Sequence, residues 1–155
     1  MYKNRIVLGL LLIAVASSSF SSAQDTPAVP KQKAEDIKKM TGKWKVTKAT
    51  MRGMDAPPAV LSMIFEFTAD KKINLRGGPK DVDFKFDTEL GKKYNKIMFE
   101  ATTGTKAGKK AIGFYKFDKD MLHLHMPNQP NADDPPTAPS KDLPHFVLER
   151  VPAKK

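Results

Sequence analysis

Apolar and polar residues alternate through most of this chain, and that alternation constrains its fold more than any other feature. It begins where Trp44 and Val46 alternate with Lys43, Lys45 and Thr47. The same pattern recurs in seven later segments, at 62–69, 73–75, 82–87, 97–99, 112–117, 121–126 and 145–151. Side chains of a strand point to opposite faces in turn, so a period of two predicts half-buried strands. Eight short strands with turn signals between them predict an all-β protein, either a sandwich or an antiparallel up-and-down barrel.

The residues before the first strand favour a short N-terminal helix. In residues 34–40 the acidic side chains come first and the lysines last, which suits the helix dipole. Ile37 and Met40 share one face of such a helix. We therefore expect this face to cover one end of the sheet structure. Residues 24–33 are polar and contain proline, which predicts a flexible lead-in.

The first 23 residues have the form of an export signal. Lys3 and Arg5 precede an apolar run at 6–16, and small residues follow as far as Ala23. The run is shorter than the roughly 20 residues that a membrane-spanning helix needs. We predict cleavage between Ala23 and Gln24, export to the periplasm or the extracellular space, and no transmembrane segment in the mature chain.

Composition narrows the classes of function. The chain of 155 residues contains no cysteine, which excludes disulfides, Cys-type zinc sites and thiol nucleophiles. A formal charge of +10 favours anionic partners, while export argues against nucleic acid. No phosphate-binding loop, nucleophile elbow or His-Glu-x-x-His motif is present, so we predict no enzymatic activity and no cofactor. We assign one domain to 34–151 and a basic tail to 152–155.

Several short motifs resemble a known family. Gly42-x-Trp44, at the start of the first strand and after a short helix, resembles the Gly-x-Trp signature of lipocalins. The order of TGKWKV, FEFTADK, GFYKFDKDMLHLHM and FVLERV is similar to a bacterial, planctomycete-type exported lipocalin-like domain of unknown function. The resemblance covers about 36–151 and implies an up-and-down barrel of about eight strands. It implies no particular ligand. The chain departs from large lipocalins in lacking a disulfide pair and in having shorter strands.

The resemblance also implies a structural clasp at the closed end of the barrel. In lipocalins the signature tryptophan lies across this end, and a basic residue of the last strand packs on it. Arg150 matches that basic position. Strand parity agrees independently, because Phe146, Leu148 and Arg150 fall on one face. We predict that Gly42, Trp44 and Arg150 form this clasp, with the guanidinium over the indole.

The inward-facing positions supply the candidate ligand-binding residues. By parity these are Phe65, Phe67, Phe84, Phe86, Phe99, Tyr115, Phe117 and Leu124. An eight-stranded barrel is at the size where side chains either fill the interior or leave room for one small ligand. The first hypothesis is therefore an interior pocket for a small apolar or amphipathic molecule. A cavity of about 300 Å³ or more would favour it.

The alternative is a filled core in a non-catalytic interaction module. Such a module would contact an anionic or protein partner through its loops and its lysine-rich exterior. The lysines of that exterior are Lys43, Lys45, Lys71, Lys72, Lys92, Lys93, Lys96, Lys109 and Lys110. The long proline-rich segment 127–144 would be one such loop.

The three histidines are the candidates for a metal site. His123 and His125 lie at i and i+2 on the outer side of one predicted strand, and His145 opens the next. Three imidazole nitrogens that meet could hold zinc and leave an open position. Exposed histidines on an outer face are the alternative, and no general base is identifiable nearby. We predict no metal.

Overall fold

The computed structural model describes residues 28–78, 81–127 and 136–152. The predicted export signal, its cleavage site, the start of the lead-in and the tail after residue 152 lie outside these residues. The elements, in chain order, are α1 (Ala28–Met40), β1 (Gly42–Met51), β2 (Met54–Asp55), α2 (Pro58–Leu61), β3 (Ile64–Phe67), β4 (Lys72–Arg76), β5 (Val82–Glu89), β6 (Asn95–Ala101), a 3-10 helix (Gly104–Lys106), β7 (Lys110–Asp118), β8 (Met121–His125) and β9 (His145–Arg150).

The strands form a closed antiparallel barrel. β3 to β8 each pair with the next strand along the chain, and β1 pairs with both β3 and β9. The ring therefore contains eight strands, β1 and β3 to β9, while β2 only extends the end of β1. Closure leaves the ring without a free edge. The predicted all-β, up-and-down barrel with a short N-terminal helix is confirmed.

The barrel closes between its first and last strands. Their register runs from Trp44 opposite Arg150 to Thr50 opposite His145. It shifts between Val46 and Lys48, so Thr47 forms a bulge whose Oγ1 donates to the carbonyl oxygen of Val147 at 3.1 Å. A bulge increases local twist, which helps a small barrel to close.

α1 begins at Ala28, earlier than the predicted start at residue 34. The predicted lead-in therefore overlaps the helix from Ala28 to residue 33. Proline at position 30 argued for a loop, but it falls in the first turn of the helix. The N–H groups of a first turn have no intrahelical partner, so a proline there costs no hydrogen bond.

A buried polar contact fixes α1 across one end of the barrel. The hydroxyl of Tyr115, on β7, donates to Asp36 Oδ2 at 2.7 Å, and Gln32 Nε2 donates to Asp36 Oδ1 at 2.9 Å. Asp36 is 4% exposed and Tyr115 is 3% exposed. Burial raises the pKa of Tyr115 well above its usual value, and the Asp36 carboxyl raises it further. The tyrosine therefore keeps its proton and remains the donor.

The connection 52–63 after β1 has structure of its own. It forms the two-residue β2 and the single helical turn of α2, which begins at Pro58. Proline is favoured at the first position of a helix because its ring already has a helical φ. Val60 of α2 is buried against the core, while Met54 and Leu61 are exposed.

Candidate binding site

The clasp of Gly42, Trp44 and Arg150 ties three elements together. Trp44 is buried, and its Nε1 donates to the carbonyl oxygen of Met40 at 2.6 Å. The Arg150 guanidinium carbon lies 4.4 Å from the centroid of the indole ring. Arg150 Nη1 also donates to the carbonyl oxygen of Thr41 at 2.7 Å, and Nη2 donates to that of Lys39. Arg150 thus caps free carbonyls at the end of α1 while it covers the indole.

Gly42 is the position that lets the guanidinium approach. Its φ is +129°, and a Cβ built there would lie 2.6 Å from Arg150 Nη1. Any side chain would displace the guanidinium from this position. The clasp therefore joins the first and last strands to the end of α1.

The candidate interior residues pack against one another. Six of them are buried, namely Phe65, Phe67, Phe86, Phe99, Tyr115 and Leu124. Phe84 and Phe117 are half-buried and pack against the same cluster. The rings of Phe67 and Phe86 meet edge to face at 5.5 Å, and those of Phe84 and Phe99 at 6.2 Å. These side chains form the hydrophobic core of the barrel.

A cavity of about 360 Å³ lies on the outer side of β7. We call it the outer pocket, and it is lined by Lys93, Tyr94, Asn95, Phe114, Tyr115, Lys116, His125 and Pro139. Phe114 neighbours the inward-facing Tyr115 and so faces outward, yet it is only 1% exposed. The ring of Tyr94 contacts it edge to face at 6.0 Å. The residues before β6 and Pro139 thus form walls of a pocket against the barrel.

The outer pocket carries positive charge. Lys93 Nζ lies 5.3 Å from the ring centroid of Tyr94, and Lys116 is exposed on β7. Within the described ranges, neither lysine forms an ion pair, and no carboxylate lines the pocket.

Elsewhere most lysines of the lysine-rich exterior form ion pairs with carboxylates. Six of its nine lysines pair with carboxylates, namely Lys43, Lys45, Lys71, Lys72, Lys96 and Lys110.

The three histidines meet beside the outer pocket. The rings of His125 and His145 are stacked, with centroids 4.3 Å apart and an interplanar angle of 6°. The rings of His123 and His145 are also stacked, with centroids 5.3 Å apart, and His123 Nδ1 lies 3.1 Å from His145 Nε2. Strand register produces this stack, because His125 pairs directly with His145 across β8 and β9. We call these three residues the histidine stack.

Burial keeps the histidine stack uncharged near neutral pH. Burial, together with the neighbouring His125 and His123, lowers the pKa of His145 to about 4. Burial likewise lowers the pKa of His125 and of His123, and Lys116 adds to both shifts. The rings stack by their faces and do not converge on a point. Within the part of the chain that the structure describes, no group of three or more His, Cys, Asp or Glu side chains could hold a metal ion.

Sequence reasoning did not identify the outer pocket. Strand parity assigned Phe114 and Lys116 to the outer face, and nothing local to β7 indicates that this face is covered. The available signal was the large aromatic residue at an outward position, next to the proline-rich segment that follows β8. Its burial becomes evident only once that segment and the residues before β6 are placed.

A search for membrane-spanning helices and three comparisons with known proteins gave no positive result. Among the described residues, no helix is both long and apolar enough to cross a membrane. Comparison with protein-family models, with curated proteins and with solved structures found no match to this chain.

Proposed function

We propose that this protein is a non-catalytic binding protein of lipocalin-like type that holds a small amphipathic molecule in its outer pocket. The observation that carries the proposal is the cavity of about 360 Å³ over the buried Phe114. Ligand sites are concave, mostly apolar and about 300–1,000 Å³ in volume, with a few polar groups that orient the ligand. Tyr94, Phe114 and Pro139 supply the apolar walls, and Lys93 and Lys116 supply the polar groups.

We place the proposed site on the exterior of the barrel, and not in its interior as first hypothesised, because the interior is packed. The interior aromatic residues already contact one another at 5.5–6.2 Å. Opening a space among them would cost the packing that holds an eight-stranded barrel together. The outer pocket needs no such rearrangement, because its lining residues other than Tyr115 lie outside the core cluster. An interaction module that acts through its loops and lysines stays the alternative prediction.

The lining chemistry favours binding over catalysis. Catalytic sites combine a nucleophile or a general base with a second group that orients it. Among the described residues that line the pocket, His125 is the only histidine, and its ring stacks on another histidine. A carboxylate that would orient it is missing from the described lining.

A neutral fluorescent probe tests the proposed site. We expect phenylnaphthylamine to bind the wild-type protein at micromolar concentration. Tyr94→Ala should weaken that binding by about three- to tenfold, because an aromatic contact is worth about 0.5–1.5 kcal/mol. Fluorescence titration measures both affinities. Absence of binding of both this probe and its anionic relative to the wild-type protein would reject the proposed function.

Met121→Ala is the matched control. Met121 is also an apolar residue on the outside of the barrel, but it does not line the pocket. Its replacement should leave the affinity for the probe unchanged. Equal weakening by Tyr94→Ala and Met121→Ala, or none by either, would place the bound probe somewhere other than the outer pocket.

We also propose that the protein is exported after cleavage of its first 23 residues. The positive start, the short apolar run and the small residues before Gln24 support it. Secretion from a bacterial host followed by intact-mass measurement should give a chain that begins at Gln24. A cell-retained chain with the full mass would contradict it.

A further inference from the structure

We infer that the ligand of the outer pocket is a small amphipathic anion, with a carboxylate or similar acidic head beside Lys93 and Lys116 and an apolar body against Phe114. The inference rests on the proposed function and adds the chemical class of the ligand. It depends on how charge is distributed around the outer pocket.

Charge in the outer pocket has one sign. Lys93 and Lys116 approach it from two different elements, the turn before β6 and the outer face of β7. Neither has a carboxylate partner among the described residues, whereas six lysines of the exterior are paired. Two unpaired ammonium groups above a partly apolar cavity create a positive potential that an anionic head would neutralise.

The rest of the lining suits an apolar body. Phe114 is buried beneath the cavity, and Tyr94 stands against it edge to face at 6.0 Å. Pro139 adds a further apolar surface to the lining. A ligand with a charged head and an aromatic or aliphatic body would satisfy both parts of the pocket at once. An inorganic anion would leave the apolar walls exposed, and a neutral molecule would leave the lysines unpaired.

The size of the cavity limits the ligand. A volume of about 360 Å³ is near the lower limit for small-molecule sites, so the occupant is a compact molecule. A long-chain fatty acid would extend beyond the lining residues. An aromatic or short-chain organic acid fits the volume, the charge and the apolar walls together.

Two fluorescent probes of similar shape, one anionic and one neutral, distinguish the effect of ligand charge on affinity from that of ligand shape. Anilinonaphthalene sulfonate is an anionic relative of the neutral phenylnaphthylamine. We expect the wild-type protein to bind the anionic probe more tightly. The double variant Lys93→Gln, Lys116→Gln should weaken binding of the anionic probe by about three- to tenfold, since each exposed charge pair contributes modestly. Binding of the neutral probe should stay within about twofold of wild type.

Lys85→Gln is the matched control. Lys85 is an exposed lysine of β5 that also forms no ion pair with any described residue, and it does not line the pocket. If Lys85→Gln weakens the anionic probe as much as the double variant does, the general field binds the anion and the inference is overturned. If the double variant binds both probes as the wild type does, the inference fails while the outer pocket stands. If neither probe binds the wild-type protein, the proposed function is rejected, and the inference that rests on it is rejected with it.

Discussion

Arg150 performs three tasks with one side chain. It covers the indole of Trp44, and it donates hydrogen bonds to the carbonyl oxygens of Thr41 and Lys39. Parity along the last strand and the family resemblance indicated the first task. The two carbonyl contacts follow from the end of α1, whose position relative to the last strand no local pattern in the sequence indicates.

Trp44→Ala and Arg150→Ala should destabilise the protein non-additively. We expect about 3–5 kcal/mol for the tryptophan, because it empties a buried site, and about 1–2 kcal/mol for the arginine. Their coupling should be about 0.5–2 kcal/mol, the value of a cation over an aromatic ring. Urea unfolding of the wild type, both single variants and the double variant measures it.

Arg76 supplies the comparison. It forms ion pairs with Asp81 and Asp83 and takes no part in the clasp. A cycle of Arg76→Ala with Trp44→Ala should therefore be additive. Additive losses in the Arg150 cycle as well would show that the stacked geometry contributes nothing to stability.

Gly42→Ala should act largely through Arg150. The new Cβ would lie 2.6 Å from Nη1, so the guanidinium must leave the indole. The φ of +129° adds a backbone cost, and we expect a total loss of about 1–3 kcal/mol. In an Arg150→Ala background the same substitution should cost less, leaving only the backbone part. An equal cost in both backgrounds, by urea unfolding, would mean that glycine is required for φ alone.

The burial of Phe114 could not be predicted from the alternation of residues in β7 alone. The period of two correctly indicates which side of β7 faces the core, and Tyr115 lies there. It does not indicate what lies against the other side. The cover comes from the residues before β6 and from Pro139, both distant in sequence from β7. Whether an outward residue is buried depends on such long-range packing.

At the scale of elements, β8 and β9 show that strand register decides which side chains meet, which the alternation of residues within each strand does not. The sequence placed His123 and His125 on one side of a strand and His145 at the start of the next. It left open whether the three meet, because segment 127–144 gives no register of its own. Barrel closure sets that register, and the stack follows from it.

The histidine stack should make stability depend on pH. The unfolded chain has histidine pKa values near 6.5, whereas His145 in the folded protein has a pKa of about 4. Between these values the unfolded state binds more protons than the folded state does. The free energy of unfolding therefore falls as pH decreases from about 7 to about 4. Lys116 and Lys48 beside the stack oppose its protonation, and Asp118 acts in the opposite direction on His123.

His145→Gln tests this dependence. The variant cannot take up a proton at this position, so its thermal midpoint should fall less between pH 7 and pH 4 than that of the wild type. Carboxylates titrate in both proteins, and the difference between the two slopes isolates the histidine. Parallel slopes would show that the stack protonates in the folded protein without cost.

At the scale of the whole molecule, the barrel was the most predictable feature. Each strand carries its own alternation, and eight such strands with short turns have few arrangements that leave no exposed edge. The start of α1 was predicted less well, since a proline signals a loop and is also tolerated in a first turn. The proposed binding site was predicted least well, because an eight-stranded barrel can equally be filled.

Ending the chain after Pro144 should abolish cooperative folding. The truncation removes β9 and leaves β1 and β8 with unpaired edges, and it also removes Arg150. We expect no cooperative thermal transition by circular dichroism, together with concentration-dependent aggregation. A chain ending after Pro152 keeps every barrel strand and should melt at the wild-type midpoint. A cooperative transition in the shorter chain would mean that the open sheet is stable by itself.

The pairing of Trp44 with Arg150 also sets an order of events in time. β1 is among the first segments to be synthesised, and its second partner is among the last. β3 to β8 pair with sequence neighbours and can assemble as a meander, whereas the final seam must wait for β9. The barrel therefore closes only after β9 has been synthesised. Until then β1 keeps an open edge, and the length of that interval decides how much chaperone protection the nascent protein needs.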